Sequence, residues 1–168
     1  MRGANVGGHR RFRPSLLVKE LAEYDVVNVG ATGLFVARSG SQSAFRTALL
    51  AKLPFETEVA LCNGRDLLEL QAAQPFGVRA ARADAVRFVS VLIGSATQRL
   101  PAMPCDIPSD GQWFVRIIGR HKRFAFGVYR RHVKTIGYLG RIDKALGTRV
   151  TTRNWSTILS VIRILEER

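Results

Sequence analysis

The chain has 168 residues, 46% apolar and 23% charged, which is ordinary for a globular chain, argues against disorder and is enough to bury a core. No apolar run approaches the roughly 20 residues of a membrane-spanning helix, so no membrane insertion is expected. The formal net charge is +13, which favours anionic partners: nucleic acid or another polyanion first, an anionic membrane surface second.

Taken in order, the chain opens with Arg2-Gly3-Ala4-Asn5-Val6-Gly7-Gly8-His9, a glycine- and arginine-rich loop. Pro14-Ser15 then starts a helix in which Leu17, Leu21 and Tyr24 share a face. Residues 25–29 and 34–37 are β-branched or apolar around Gly30-Ala31-Thr32-Gly33 and predict a hairpin. Ser43 is positioned to cap a helix carrying Phe45, Ala48, Leu49 and Leu53, stopped by Pro54. A strand is predicted over 58–62, with Cys62 as a small buried hydrophobe, and a helix capped by Asn63 follows. Residues 76–84 read as a linker.

The second half opens with a strand from Val86 to Ile93. Three prolines make 94–111 an irregular connection. Gln112–Ile118 and Arg123–Tyr129 predict a hairpin turning at residues 119–122. Ile136, Leu139, Ile142 and Leu146 mark one helix ended by Gly147. A short strand at Val150-Thr151-Thr152 precedes a last helix, capped by Asn154, with Trp155, Ile158, Leu159, Ile162 and Leu165 on one stripe. The element order predicts an α+β protein of two ferredoxin-like (βαββαβ-type) subdomains plus a C-terminal helix, the first subdomain lacking its opening strand. Its boundaries are 1–75 with an extra helix, a linker at 76–85, and 86–168.

The Arg2 to His9 loop, the helix opened by Pro14, Leu53-Pro54-Phe55-Glu56, and Thr151-Thr152-Arg153-Asn154-Trp155 together resemble the domain of unknown function 1697 family. The resemblance implies compact α+β proteins with ferredoxin-like substructures, and it implies no activity. An apolar strand usually precedes the arginine-glycine box in that family, whereas here Met1 stands where the strand should end. The resemblance therefore implies either a start upstream of Met1 or an exposed sheet edge able to pair with a second copy. Asn28-Val29-Gly30-Ala31-Thr32-Gly33 replaces the glutamine-serine-glycine-asparagine box of many members, so no role is carried over to it.

Charge is concentrated rather than spread. Residues 1–14 hold four arginines and no acid, residues 15–110 are nearly balanced, and residues 111–153 hold eleven basic groups against Asp143 alone. Three anion-binding candidates follow. The first is the loop with Arg2, Asn5, Gly7, Gly8, Arg10, Arg11 and Arg13, where close backbone approach meets a helix start; its alternative is a tight turn. The second is the hairpin with Arg116, Arg120, Lys122, Arg123, Arg130 and Arg131, Lys134 continuing the charge cluster. There Ala125 and Gly127 beside Arg123 and Tyr129 are expected to leave an open basic, aromatic surface for stacked bases and phosphates. The alternative packs Trp113, Phe124 and Phe126 into the core. The third is Arg153 at a helix start, beside Asn154 and Trp155; its alternative, the stronger one here, is a structural role, with Asn154 as a cap and Trp155 in the core.

The spacing contains no GxSxG, HExxH, Walker or GxGxxG motif, and no carboxylate pair at motif spacing. Cys62 and Cys105 lack a CxxC partner or a histidine pair, so no metal, cofactor or catalytic residue is assigned. An enzyme acting on a small phosphate or carboxylate at the Gly7-Gly8 loop is the second functional reading. The N-terminus has no signal-peptide core, and a cytoplasmic setting is expected.

Overall fold

The computed structural model describes residues 1–3, 12–77, 83–94 and 101–167. The chain divides into two compact units, one of residues 1–61 with the C-terminal residues from Arg163, the other of residues 62–162. The division falls ahead of the helix that follows Asn63, which therefore belongs to the second unit.

In the first unit, α1 (Pro14–Glu20) carries proline in its first turn, where a missing N–H leaves no orphan. It buries Leu17, with Leu21 buried just beyond, and a 3-10 turn over 22–24 follows. β1 (Val26–Asn28) pairs antiparallel with β2 (Phe35–Ala37). Gly30 and Gly33 both take φ near +75°, a conformation the turn between the strands needs. α2 (Gln42–Lys52) is capped by Ser41 rather than Ser43: the Ser41 hydroxyl accepts from the Ala44 N–H at 3.2 Å. Leu17, Leu21, Val26, Phe45, Leu49 and Val59 form the core, and Met1 joins them.

The strand expected over 58–62 does not form. The segment runs without a ladder, and its Glu58 carbonyl accepts the Arg2 N–H at 3.0 Å while Thr57 Oγ1 donates back to the Arg2 carbonyl at 2.9 Å. The Met1 ammonium donates to the Gly33 carbonyl at 2.8 Å. Met1 and Arg2 thus bond to both the hairpin side and the Glu58 side. Arg2 also faces Glu58 at 4.0 Å.

The second unit starts at Cys62, which is exposed rather than buried as expected. α3 (Gly64–Ala72) follows, its N-terminus capped by Asn63 Oδ1 accepting from the Arg65 N–H. Then come β3 (Ala85–Leu92), β4 (Cys105–Ile107), β5 (Val115–His121), β6 (Phe124–Arg130), α4 (Thr135–Leu139), α5 (Ile142–Leu146), β7 (Val150–Asn154) and α6 (Trp155–Glu166), whose residues from Arg163 on belong to the first unit. The five strands form one sheet in the order β4-β5-β6-β3-β7, every neighbouring pair antiparallel.

Two elements depart from the sequence pattern for identifiable reasons. The hairpin turns at Lys122-Arg123, with His121 and Phe124 as its last pair, because a register shift between Ile117 and Gly119 advances β5. The helix expected over 136–146 is two short helices, split at Gly140-Arg141, where Gly137 and Gly140 weaken the helix. Its end is as expected, with Gly147 left-handed at φ 62°.

The α5 residues Ile142 and Leu146 pack with Phe88, Leu92, Val115, Ile117, Ala125 and Val150 on one face of the sheet. On the alternate positions Val89, Val91 and Phe124 are buried, and Phe76 sets its ring against Phe126 at 5.8 Å and Trp155 at 5.2 Å. Both faces of the sheet are therefore occupied within this unit, as an all-antiparallel sheet with long apolar runs requires. The result is an α+β protein with a two-stranded and a five-stranded sheet and a C-terminal helix. Among the described residues no helix is long and apolar enough to cross a membrane.

Candidate polyanion-binding surface

The open surface expected on the hairpin is not open. Ala125 is fully buried in the core beneath α5, and Gly127 is buried too. Both residues are small for packing: a Cβ on Gly127 would collide with the Arg116 carbonyl across the strand pair. Phe124 is fully buried, as the packing alternative required.

The hairpin cations have partners inside the unit, although Arg120 and Lys122 stay exposed. Arg116 makes a bidentate pair with Asp106 at 2.6 and 2.7 Å, which holds the Asp106 carboxyl below its ordinary range. Lys122 sits between Asp66 and Glu69 of α3, and its hydrogen bond keeps the Glu69 carboxyl below the ordinary value. Lys122 takes φ 49° in the two-residue turn that closes the hairpin, a conformation that a lysine seldom adopts. Arg123 donates to the Leu92 carbonyl at 2.8 Å, and Arg120 donates to the Lys122 carbonyl. Trp113, half-buried, takes the Arg116 and Arg130 guanidiniums over its ring at 4.6 and 4.3 Å.

Arg153 behaves likewise. It is half-buried on β7, donates to the Thr152 carbonyl, and burial lowers its pKa. Asn154 ends β7 directly before α6, and its side-chain oxygen accepts from the Tyr129 hydroxyl at 2.9 Å. In the first loop, Asn5, Gly7, Gly8, Arg10 and Arg11 lie outside the described residues; Arg13 is exposed at the N-cap of α1.

What remains is the stretch after β6. Arg131, Lys134, Arg141 and Lys144 are exposed and form no ion pair among the described residues. Arg141 lies over the Tyr138 ring at 4.7 Å, which fixes the guanidinium on the surface without neutralising it. Asp143 is the one acid of this stretch, and one of its oxygens accepts the Val150 N–H at 3.1 Å. Local bonds shape the segment. Thr135, buried, donates to the Arg130 carbonyl at 2.7 Å, the Lys134 N–H donates to His132 Nδ1, and Phe114 stacks on Tyr138 at 4.9 Å. With Thr135 turned inward, Ile136, Gly137, Gly140 and Arg141 face out.

Arg131 and Lys134 belong to the charge cluster expected from the sequence, and Arg130 directly precedes them; Arg141 and Lys144 extend the exposed set. Sequence spacing misses the last two because it puts them on a single amphipathic helix, whose polar side is ordinarily just solvated. Among the described residues no cluster of three or more histidine, cysteine or acidic side chains is placed to hold a metal ion. Desolvation raises the Cys105 thiol above its ordinary value, which opposes a nucleophilic thiolate there. Comparison with family models, curated proteins and solved structures finds no match.

Proposed function

We propose that this chain binds polyanions, nucleic acid among them, through the exposed cations of residues 131–144. One observation supports this above the rest: Arg131, Lys134, Arg141 and Lys144 are exposed and form no ion pair among the described residues, whereas Arg116 and Lys122 of the neighbouring hairpin are paired with acids inside the unit. Phosphates arrayed on a surface or chain would replace the counterions these groups now hold. A cytoplasmic setting, with both cysteines free, accompanies this reading.

The same reading takes the chain as a relative of the domain of unknown function 1697 family, and its second unit as ferredoxin-like. β3, β5, β6 and β7 stand in the order β7-β3-β6-β5, that is fourth-first-third-second, with α4 and α5 as the later crossover. The order supports that assignment; a helix in the earlier crossover is not among the described residues.

The test is affinity for labelled single-stranded DNA, RNA and a polyphosphate chain, by fluorescence anisotropy across a salt series. Affinity should fall steeply with salt. Reversal of Arg131, Lys134, Arg141 and Lys144 to glutamate should weaken it by about tenfold or more. Unchanged affinity in the reversal variant would remove this face from the site.

A further inference from the structure

The same stretch exposes two aliphatic side chains that charge alone does not explain. Val133 is 82% exposed and Ile136 is 78% exposed. The other exposed large hydrophobics in the described chain, Leu16 at 49% and Ile118 at 37%, fall well short of them. Val133 belongs to the turn that the Thr135-to-Arg130 and Lys134-to-His132 bonds build, and Ile136 lies one helical step beyond it on the outward side of α4. Their neighbours in sequence are Arg130, Arg131, Lys134 and Arg141, with Gly137 and Gly140 adding no bulk on the outward side.

Resting on the polyanion reading, we propose that the partner of this face is an anionic lipid bilayer, with Val133 and Ile136 entering the interface between headgroups and acyl chains. Arg131, Lys134, Arg141 and Lys144 would lie at the level of the lipid phosphates. A phosphate chain in water offers the cations their counterpart but leaves the aliphatic pair exposed. A bilayer surface satisfies both, since it has anionic phosphates above and hydrocarbon directly beneath. Neither side chain has an aromatic face on which a base would stack, as nucleic-acid platforms use. The contact is peripheral and consistent with the lack, among the described residues, of any helix able to span a membrane.

Vesicle pelleting tests the proposal, using phosphatidylcholine vesicles with and without phosphatidylserine and the polyphosphate probe in parallel. Wild type should pellet only with the anionic vesicles. The double variant Val133→Ser/Ile136→Ser should bind those vesicles roughly tenfold or more weakly, because the apolar burial is gone, and should bind polyphosphate unchanged. The reverse change, Ile136→Phe, should tighten vesicle binding. Exposure at both sites predicts that these variants melt with wild type, which circular dichroism checks. Equal vesicle binding by wild type and the double variant would overturn the proposal. So would binding to nucleic acid and polyphosphate without binding to vesicles, an outcome that leaves the polyanion reading intact. Failure to bind any of the probes would overturn both.

Discussion

Between Gln112 and Arg130 the second unit places five cations: Arg116 against Asp106, Lys122 against Asp66 and Glu69, Arg120 and Arg123 against backbone carbonyls, and Arg130 on Trp113. Between Arg131 and Lys144 it places four more, and none has an acidic partner among the described residues. In sequence the two stretches look alike, a continuous basic tract. In space the first is a structural hairpin whose charges tie β4, α3 and the end of β3 to the sheet. The second is a surface. Charge density along a chain therefore says little about available charge; what decides is whether carboxylates and carbonyls from distant segments reach it.

The sharpest way to test that contrast is to add bulk on each side of the border. Gly127→Val should destabilise by about 3 kcal/mol or more, because the new side chain meets the Arg116 backbone, which cannot step aside without breaking the β5–β6 ladder. Gly137→Ala in α4 meets nothing within contact distance and should be neutral, or stabilising by up to about 1 kcal/mol through helix propensity. Chemical denaturation of the two variants reads both effects. Equal losses would mean that the hairpin is no more closely packed than the stretch after it.

Charge removal provides the next contrast, smaller in stability but larger in binding. Arg116→Ala should lower stability by about 1 kcal/mol, since the bidentate Asp106 pair is partly exposed and screened, and should leave the salt dependence of polyanion binding unchanged. Arg131→Ala and Lys134→Ala should do the opposite. Stability should hold, and each removed phosphate contact should reduce the slope of log affinity against log salt by roughly 0.7 for a single-stranded probe. A shallower slope for Arg116→Ala would place the hairpin back in the site.

The sequence was a good guide wherever local physics decides. Pro14, Asn63 and Gly147 punctuate helices where expected, and the apolar stripe of α6 is buried through Ile158 and Ile162. It was a poor guide wherever a distant partner decides. The segment at 58–62 has strand composition, yet it joins no ladder, and its Glu58 carbonyl accepts the Arg2 N–H. β4 lies among prolines and exists because Asp106 and its neighbours register on β5. Ala125 and Gly127 read as an open surface because small residues leave room, and only the position of α5 and the bulge at Ile117 show that the room is filled. The candidate surface shows the same ambiguity in reverse: Ile136 reads as an ordinary apolar residue of a helix face, and the inward turn of Thr135 leaves it outside, with Val133 also exposed.

The smallest expected effect is also the one that isolates the hairpin electrostatics. Asp106 titrates below the usual carboxylate range because the Arg116 guanidinium donates two hydrogen bonds to it, with desolvation opposing. A carboxyl whose pKa is lower in the folded than in the unfolded chain stabilises the fold above its unfolded value, about 3.9, and loses that contribution as pH falls through the folded value. Asp106→Asn removes the titration. Its urea midpoint should therefore lie below wild type at neutral pH and converge on it as pH drops towards about 3 and beneath. A gap that stays constant across that range would mean that the Asp106 contribution is steric rather than electrostatic. The Arg131-to-Lys144 face should give no counterpart, because no carboxylate pairs with its cations in the described chain.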